Sequence, residues 1–282
     1  MSLHGKKAFI LYCSPAGTTR HVSAVLEKEL KNRNADVLCA DICKEKESGN
    51  LLQQIRQAAE QGILFIASPV YVNRPLPQIM KFIEQLPEKT GAAVPIVTWG
   101  CVSSGIALYD MGKALKEKNI PLLGAAKVGA QHSMMWRSEN PLGKGRPGPE
   151  DDNMLRGLTD ALAEKLNKSP LAEIPLSALA YQPPERHAEM EKLSLAAAKS
   201  HMPERKTDEN LCTQCGICAE ECPVAAITLS PWPVFADHCI CCFNCVRICP
   251  ETAILSDMSP LEERIRSRAA LLDEKPRTQL FL

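Results

Sequence analysis

The sequence predicts an α/β fold, a doubly wound parallel sheet, followed by a smaller cysteine-rich α+β unit. Three observations carry this expectation. Short apolar runs alternate with helix-patterned stretches through residues 1–167. Loops rich in glycine, proline and hydroxyl side chains follow the apolar runs. Nine of the 13 cysteines then crowd between Cys212 and Cys249, eight of them in two identical spacings.

Lys6–Cys13 (KKAFILYC) reads as a strand buried on both faces. Ser14–Thr19 forms a small loop, and a helix follows in which Val22, Val25, Leu26 and Leu30 share one face. Strand, short loop and helix together aim backbone N–H groups at an anion. The loop lacks the lysine of a triphosphate-binding motif. Ala35–Ile42 is a second strand and Leu51–Glu60 a helix. Gly62–Ser68 is a third strand; the loop after it, Pro69–Pro75, contains no glycine, and Asn73 is the residue there that best tolerates a left-handed backbone. Pro77–Leu86 is a helix with Ile79, Phe82, Ile83 and Leu86 inward. Val94–Thr98 is a fourth strand ending at Trp99-Gly100-Cys101, Ser103–Lys118 a helix, Pro121–Ala130 a fifth strand and Glu150–Leu166 a last helix.

The loop from Gln131 to Pro149 is long for its place. Its His132, Met134, Met135, Trp136 and Arg137 are candidates to cap a ligand, to face the cysteine-rich unit, or to pack on themselves. Gly143–Gly148 spells G-x-G-x-x-G, but no strand ends just before it and Pro147 interrupts it, so it reads as a loop. Residues 168–206 are expected to be a proline-broken connector with a helix over Glu185–Ser200. The cysteine-rich unit spans 207–257, and 258–282 is a helical tail with Leu261, Ile265, Ala269 and Leu272 at helical spacing.

Cys212, Cys215, Cys218 and Cys222 read C-x2-C-x2-C-x3-C before Pro223. Cys239, Cys242, Cys245 and Cys249 repeat that spacing before Pro250, and Ala226-Ile227 recurs as Ala253-Ile254, 27 residues on. A zinc site takes paired C-x2-C groups instead. Three thiolates two residues apart wrap one corner of a cuboidal iron–sulfur cluster, and the fourth reaches across to the other cluster. The expected ligand sets are therefore Cys212, Cys215, Cys218 and Cys249 for one [4Fe-4S] cluster, and Cys239, Cys242, Cys245 and Cys222 for a second. Cys13, Cys39, Cys43, Cys101 and Cys241 show no ligand spacing and are expected to be free thiols.

Formal net charge is zero, which gives no case for nucleic acid. The 207–257 segment is different: seven carboxylates stand against Arg247 alone, six negative charges net. Such a unit can dock on a basic partner or on the remainder of the chain. No apolar run suits a membrane span, and the first residues lead into a strand instead of a signal peptide. Clusters call for a reducing compartment, so a cytoplasmic setting is expected, with an anaerobic host.

Residues 207–257 resemble the bacterial two-cluster ferredoxin module. Residues 5–167 resemble flavodoxins through SPAGTTR (14–20), SPVYVNRPLPQ (68–78), TWG (98–100) and GRPGPED (145–151). This resemblance implies strand order 2-1-3-4-5 and FMN at the switch point between strands 1 and 3. It places Ser14, Ala16, Gly17, Thr18 and Thr19 around the phosphate. Pro69, Tyr71, Asn73, Thr98, Trp99 and Gly100 are the candidates around the flavin ring. The whole is expected to be an electron-transfer iron–sulfur flavoprotein, a flavodoxin–ferredoxin fusion serving redox partner proteins. A flavin-dependent reductase of a quinone, nitro compound or metal cofactor, and a redox sensor, are the alternatives.

Overall fold

The computed structural model describes residues 2–43, 45–58, 62–167 and 171–282. In chain order, β1 (Lys7–Tyr12) leads to α1 (Thr18–Asn32), β2 (Asp36–Asp41), α2 (Glu45–Ala58) and β3 (Gly62–Tyr71). A two-residue strand β4 (Arg74–Pro75) folds back on β3, followed by α3 (Pro77–Gln85), β5 (Ala92–Trp99), α4 (Ala107–Glu117), β6 (Ala125–Gly129) and α5 (Pro149–Leu166). The end of the helix expected over 51–60 and the start of the 168–206 connector fall outside the described residues.

Five parallel strands stand in the order β6-β5-β3-β1-β2. Counting these strands alone, that is the order 2-1-3-4-5 expected for a flavodoxin-like sheet. β1, β3 and β5 are apolar on both faces because helices cover both. Leu51, Ile55, Ile79, Phe82, Leu108 and Met111 of α2, α3 and α4 cover one face. Val22, Leu26, Leu30, Leu155, Leu158 and Leu162 of α1 and α5 cover the other.

The connector carries α6 (Pro184–Glu191) and α7 (Leu195–Ala198), so the helix expected over Glu185–Ser200 is broken in its middle. The cysteine-rich unit holds β7 (Lys206–Thr207), α8 (Ile217–Glu220), β8 (Ile227–Leu229), β9 (Pro233–Phe235), α9 (Asn244–Ile248) and β10 (Ile254–Leu255). Its internal repeat extends to the backbone. Left-handed φ angles recur 27 residues apart at Gln214 and Cys241, Gly216 and Phe243, and Ala225 and Thr252.

The tail forms α10 (Ser259–Leu272) and then a strand, β11 (Gln279–Phe281), where only a helix was expected. β11 pairs antiparallel with β6 and closes an otherwise open sheet edge. Two buried polar links hold it there. Lys127 Nζ donates to Glu274 Oε1 at 2.8 Å, and Thr278 Oγ1 donates to Asp151 Oδ1 at 2.5 Å.

One expectation is overturned: Cys13 and Cys43 are not free thiols but a disulfide, with Cα atoms 5.6 Å apart. The cause is the register. Tyr12 lies opposite Asp41, and Ile42 N–H donates to Tyr12 O, so the carboxyl ends of β1 and β2 deliver the two cysteines side by side. Sequence spacing carries no trace of a pairing made across parallel strands.

Candidate functional site

The carboxyl ends of β1, β3, β5 and β6 open into a cleft at the switch point where β1 and β3 lead away in opposite directions. Its inner part, about 60 Å³, is lined by Ser14, Ala16, Thr18 and Thr19 from the first loop. Pro69, Tyr71, Thr98, Trp99 and Gly100 supply the facing wall. Gly17 sits just outside, exposed, with φ +89°, at the N-cap of α1. Only glycine takes that conformation without strain, and it turns the chain so that the first N–H groups of a 15-residue helix face the loop. Ser14 Oγ accepts from Arg20 N–H at 2.9 Å, and the hydroxyls of Thr19 and Thr98 share a 2.8 Å hydrogen bond. The loop is thus braced while its helix terminus stays open to an anion.

An outer cleft of about 460 Å³ continues the inner one and shares Val70, Tyr71, Gly100, His132 and Ser133 with it. Asn73 lines this outer part. The turn after β3 puts Val72 at φ 51° and Asn73 at φ 63°, so the left-handed conformation is adopted without glycine. Asn73 O accepts from Ile106 N–H at 2.9 Å, and Arg74 is tied to Asp110 at 2.5 Å, which fixes the turn. A Cβ at Gly105 would come within 2.1 Å of Asn73 O, so the tight approach of the two loops requires glycine there.

His132 lies against Gly100, where a Cβ would stand 2.7 Å from its ring. Its Nδ1 accepts from Met134 N–H at 3.3 Å, which leaves the proton on Nε2. Burial pushes its pKa down to about 4, so the ring is neutral near pH 7. The rest of that long loop divides between neighbours. Met134 and Trp136 pack on the cysteine-rich unit, and Met135 packs beneath α10 against Leu261 and Ile265.

Two buried polar atoms at the cleft have no hydrogen-bond partner within the protein: Tyr71 Oη and Trp99 Nε1. Leaving each unpaired costs roughly 1–3 kcal/mol. A flat, hydrogen-bonding ring with a phosphate tail would suit both those atoms and the helix terminus, so the lining is compatible with a flavin nucleotide.

The second cysteine motif forms a wall of this same cleft. Ile240 and Cys241 line it. Ile240 and Cys242 are buried in the apolar cluster that holds Leu76 and packs on Val70 and Tyr71. Burial holds the Tyr71 phenol well above its usual range. Arg247 Nη2 donates to Pro15 O at 2.9 Å, bridging the acidic unit to the first loop.

The first motif faces outward. Cys212, Cys215 and Cys218 line a small surface hollow together with Cys249, which belongs to the second motif. No three of the eight motif thiols have ligand atoms mutually within 4.8 Å among the described residues. Sulfurs around one zinc ion stand roughly 3.8 Å apart, as Zn–S bonds of about 2.3 Å require. Ala226 N–H donates to Cys222 Sγ and Ala253 N–H to Cys249 Sγ, each at 3.3 Å, which turns both fourth thiols identically.

Some functional neighbours had no clear signal in the sequence. Ala130, Gln131 and Ser133 line the inner cleft; their place just past the carboxyl end of a parallel strand was the available hint. Arg205, in the connector, had none.

Comparison with known proteins agrees in part with this geometry. Residues 206–228 match the 4Fe-4S binding domain family. The chain joins a flavodoxin-type sheet to an iron–sulfur binding unit. Among solved structures it is similar to rubredoxin oxygen:oxidoreductase from the anaerobe Desulfovibrio gigas (TM-score 0.46, 17% identity), over 64% of this chain and 38% of that one. A flavodoxin from the domain Archaea aligns at TM-score 0.43 and 18% identity, over 57% of this chain and 99% of that one. A flavodoxin from Streptococcus pneumonia TIGR4 aligns at 0.42 and 16%, over 56% and 99%. No curated protein matches the sequence. No helix among the described residues is long and apolar enough to cross a membrane.

Proposed function

We propose that the protein is an electron-transfer iron–sulfur flavoprotein. FMN occupies the cleft, one [4Fe-4S] cluster is held by Cys212, Cys215, Cys218 and Cys249, and a second by Cys239, Cys242, Cys245 and Cys222. The observation that carries this reading is a shared wall: Ile240 and Cys241 of the second motif line the cleft that begins at the first loop. FMN takes up electrons in pairs and can release them singly, whereas each cluster carries one, so the combination converts between the two modes.

The protein's own groups have definite tasks in this scheme. Gly17, Thr18 and Thr19 present N–H groups to the phosphate. Tyr71 Oη, Trp99 Nε1 and the Nε2–H of His132 are the polar atoms available to the ring. Val70 and Ile240 keep water from the space between ring and second motif. Redox partner proteins exchange single electrons at the outward first motif. A reducing, cytoplasmic setting suits the clusters, whereas the Cys13–Cys43 disulfide forms more readily in an oxidising one.

A second reading rests on the outer cleft, whose about 460 Å³ leaves a small oxidised substrate room beside the ring. Anaerobic stopped-flow decides between them, with NAD(P)H and with a reduced ferredoxin as donors and the flavin and cluster bands followed separately. Electron transfer predicts rapid cluster reduction by the protein donor without any added small acceptor. Steady turnover of a quinone or nitro compound with idle clusters would favour the reductase instead. Iron, sulfide and flavin analysis comes first: eight irons and one FMN are expected, counted from the two ligand sets at four irons each.

A further inference from the structure

The two motifs share a spacing and a backbone, but among the described residues a side-chain cation donates to the cysteines of only one of them. Arg205 Nη1 donates to Cys239 Sγ at 3.3 Å and reaches Cys245 Sγ at 3.9 Å. Its guanidinium is stacked 4.2 Å from the Phe235 ring centroid and 5.4 Å from that of Phe243. Phe243 is fully buried and left-handed, at the repeat position where the first motif has Gly216. A left-handed phenylalanine is strained, and here the strained residue is half of the seat for a cation. The residue that the repeat places opposite Arg205, 27 positions on, is Trp232, which has no charge. Among the described residues no side-chain cation donates to Cys212, Cys215, Cys218 or Cys249. In sequence the carboxylates of Asp208, Glu209 and Glu251 stand nearest the outer ligands and that of Asp237 nearest the inner ones, with Glu220 and Glu221 between Cys218 and Cys222.

We propose that Arg205 makes the inner cluster, that of the second motif, the higher-potential of the two, and so biases electrons to run inward from the surface cluster to the flavin. This rests on the cofactor assignment above. Reduction adds one negative charge to a cluster. A cation hydrogen-bonded to two of its thiolates stabilises that charge, and surrounding carboxylates oppose it. Burial of the inner motif acts in the opposite sense, by disfavouring added charge. Direct contact with a seated guanidinium outweighs it, because Coulomb attraction is strongest at short range in a partly desolvated site. The donor is a low-potential one-electron carrier protein. Each step moves one electron with no bond made or broken, from that carrier to the outer cluster and then to the inner one. Two passages deliver the pair that reduced FMN holds, with its protons drawn from water.

The test is an anaerobic potentiometric titration of the full-length, cluster-loaded protein, read by electron spin resonance. Cys215→Ser identifies the outer cluster's signal. In the unmutated protein the inner cluster is expected to have the higher midpoint; the reverse order overturns the proposal without any further variant. Arg205→Gln is expected to shift the inner midpoint downward and leave the outer cluster and the flavin where they were. An unmoved inner midpoint at unchanged iron content also overturns it. Arg205→Lys, which keeps the charge, is expected to restore most of the shift. Finding fewer than two clusters in the unmutated protein would refute the cofactor assignment itself, a result distinct from either midpoint outcome.

Discussion

Cys215 is exposed and Cys212 half-buried at the rim of a surface hollow, with Cys218 buried behind them, whereas Cys239, Cys242 and Cys245 are all buried, Cys242 against the β-sheet core and Cys245 within the unit's own apolar cluster. The two motifs have the same spacing, the same left-handed positions and the same N–H bonds to their fourth thiols. What separates them is what each copy packs against and, within the repeat, Phe243 where the first copy has Gly216. Ile240 and Cys242 enter the apolar cluster of the sheet, Arg247 reaches Pro15, and Arg205 arrives from the connector. Identical ligand chemistry thus acquires an inside and an outside from its surroundings.

The largest expected effect comes from exchanging the two fourth ligands. Cys249→Ser should remove or convert the outer cluster, and Cys222→Ser the inner one, each taking about half of the iron. Cluster-resolved spectra in which each variant damages its own motif would break the crossed assignment, and with it the division into inner and outer.

Gly17→Asp tests the flavin side alone. A carboxylate facing a phosphate, on a side chain forced to φ +89°, should weaken FMN binding tenfold or more, roughly 1.4 kcal/mol or above. Both clusters should persist. A variant that retains stoichiometric FMN on gel filtration would move the phosphate elsewhere.

A pair of truncations then weighs the two surroundings. Ile240→Ala deletes a side chain only 3% exposed and should cost about 2–5 kcal/mol. Leu211→Ala, at a position 48% exposed beside the outer motif, should change stability by less than about 0.5 kcal/mol. Urea midpoints at constant cluster content measure both. Equal costs would mean that the second motif is not anchored on the sheet.

The last prediction concerns His132, on the cleft's wall. Its folded-state pKa near 4 lies below its ordinary 6.5, so as pH falls the unfolded chain takes the proton first. The neutral ring's full contribution is present above pH 6.5 and is lost progressively towards pH 4. The residue as a whole is half-buried by surface area, so solvent screening keeps the loss to about 1 kcal/mol. His132→Asn should flatten that part of the stability–pH profile. An unchanged slope would assign it to carboxylates instead.

Much of this was legible in the sequence because it depends on neighbours in the chain. Alternating apolar runs of strand and helix length led to five strands, since a strand buried on both faces must be apolar throughout, and the resemblance of the loops to flavodoxins implied their order. The cysteine spacing pointed to iron–sulfur binding, which the family match over residues 206–228 supports, since a cuboidal cluster constrains residues two and three apart. The loops holding Ser14, Tyr71 and Trp99 were found because they follow strands at their carboxyl ends, where such sheets bind ligands. What only the tertiary structure decided are contacts between segments far apart in the chain. Cys13 meets Cys43 through the register of β1 and β2; Lys127 meets Glu274 because β11 closes the sheet edge; Arg205 meets Cys239 because the connector returns across the second motif. A repeat fixes what each copy binds, but burial and charge depend on what packs against it, and that is set by three-dimensional proximity, not by spacing along the chain.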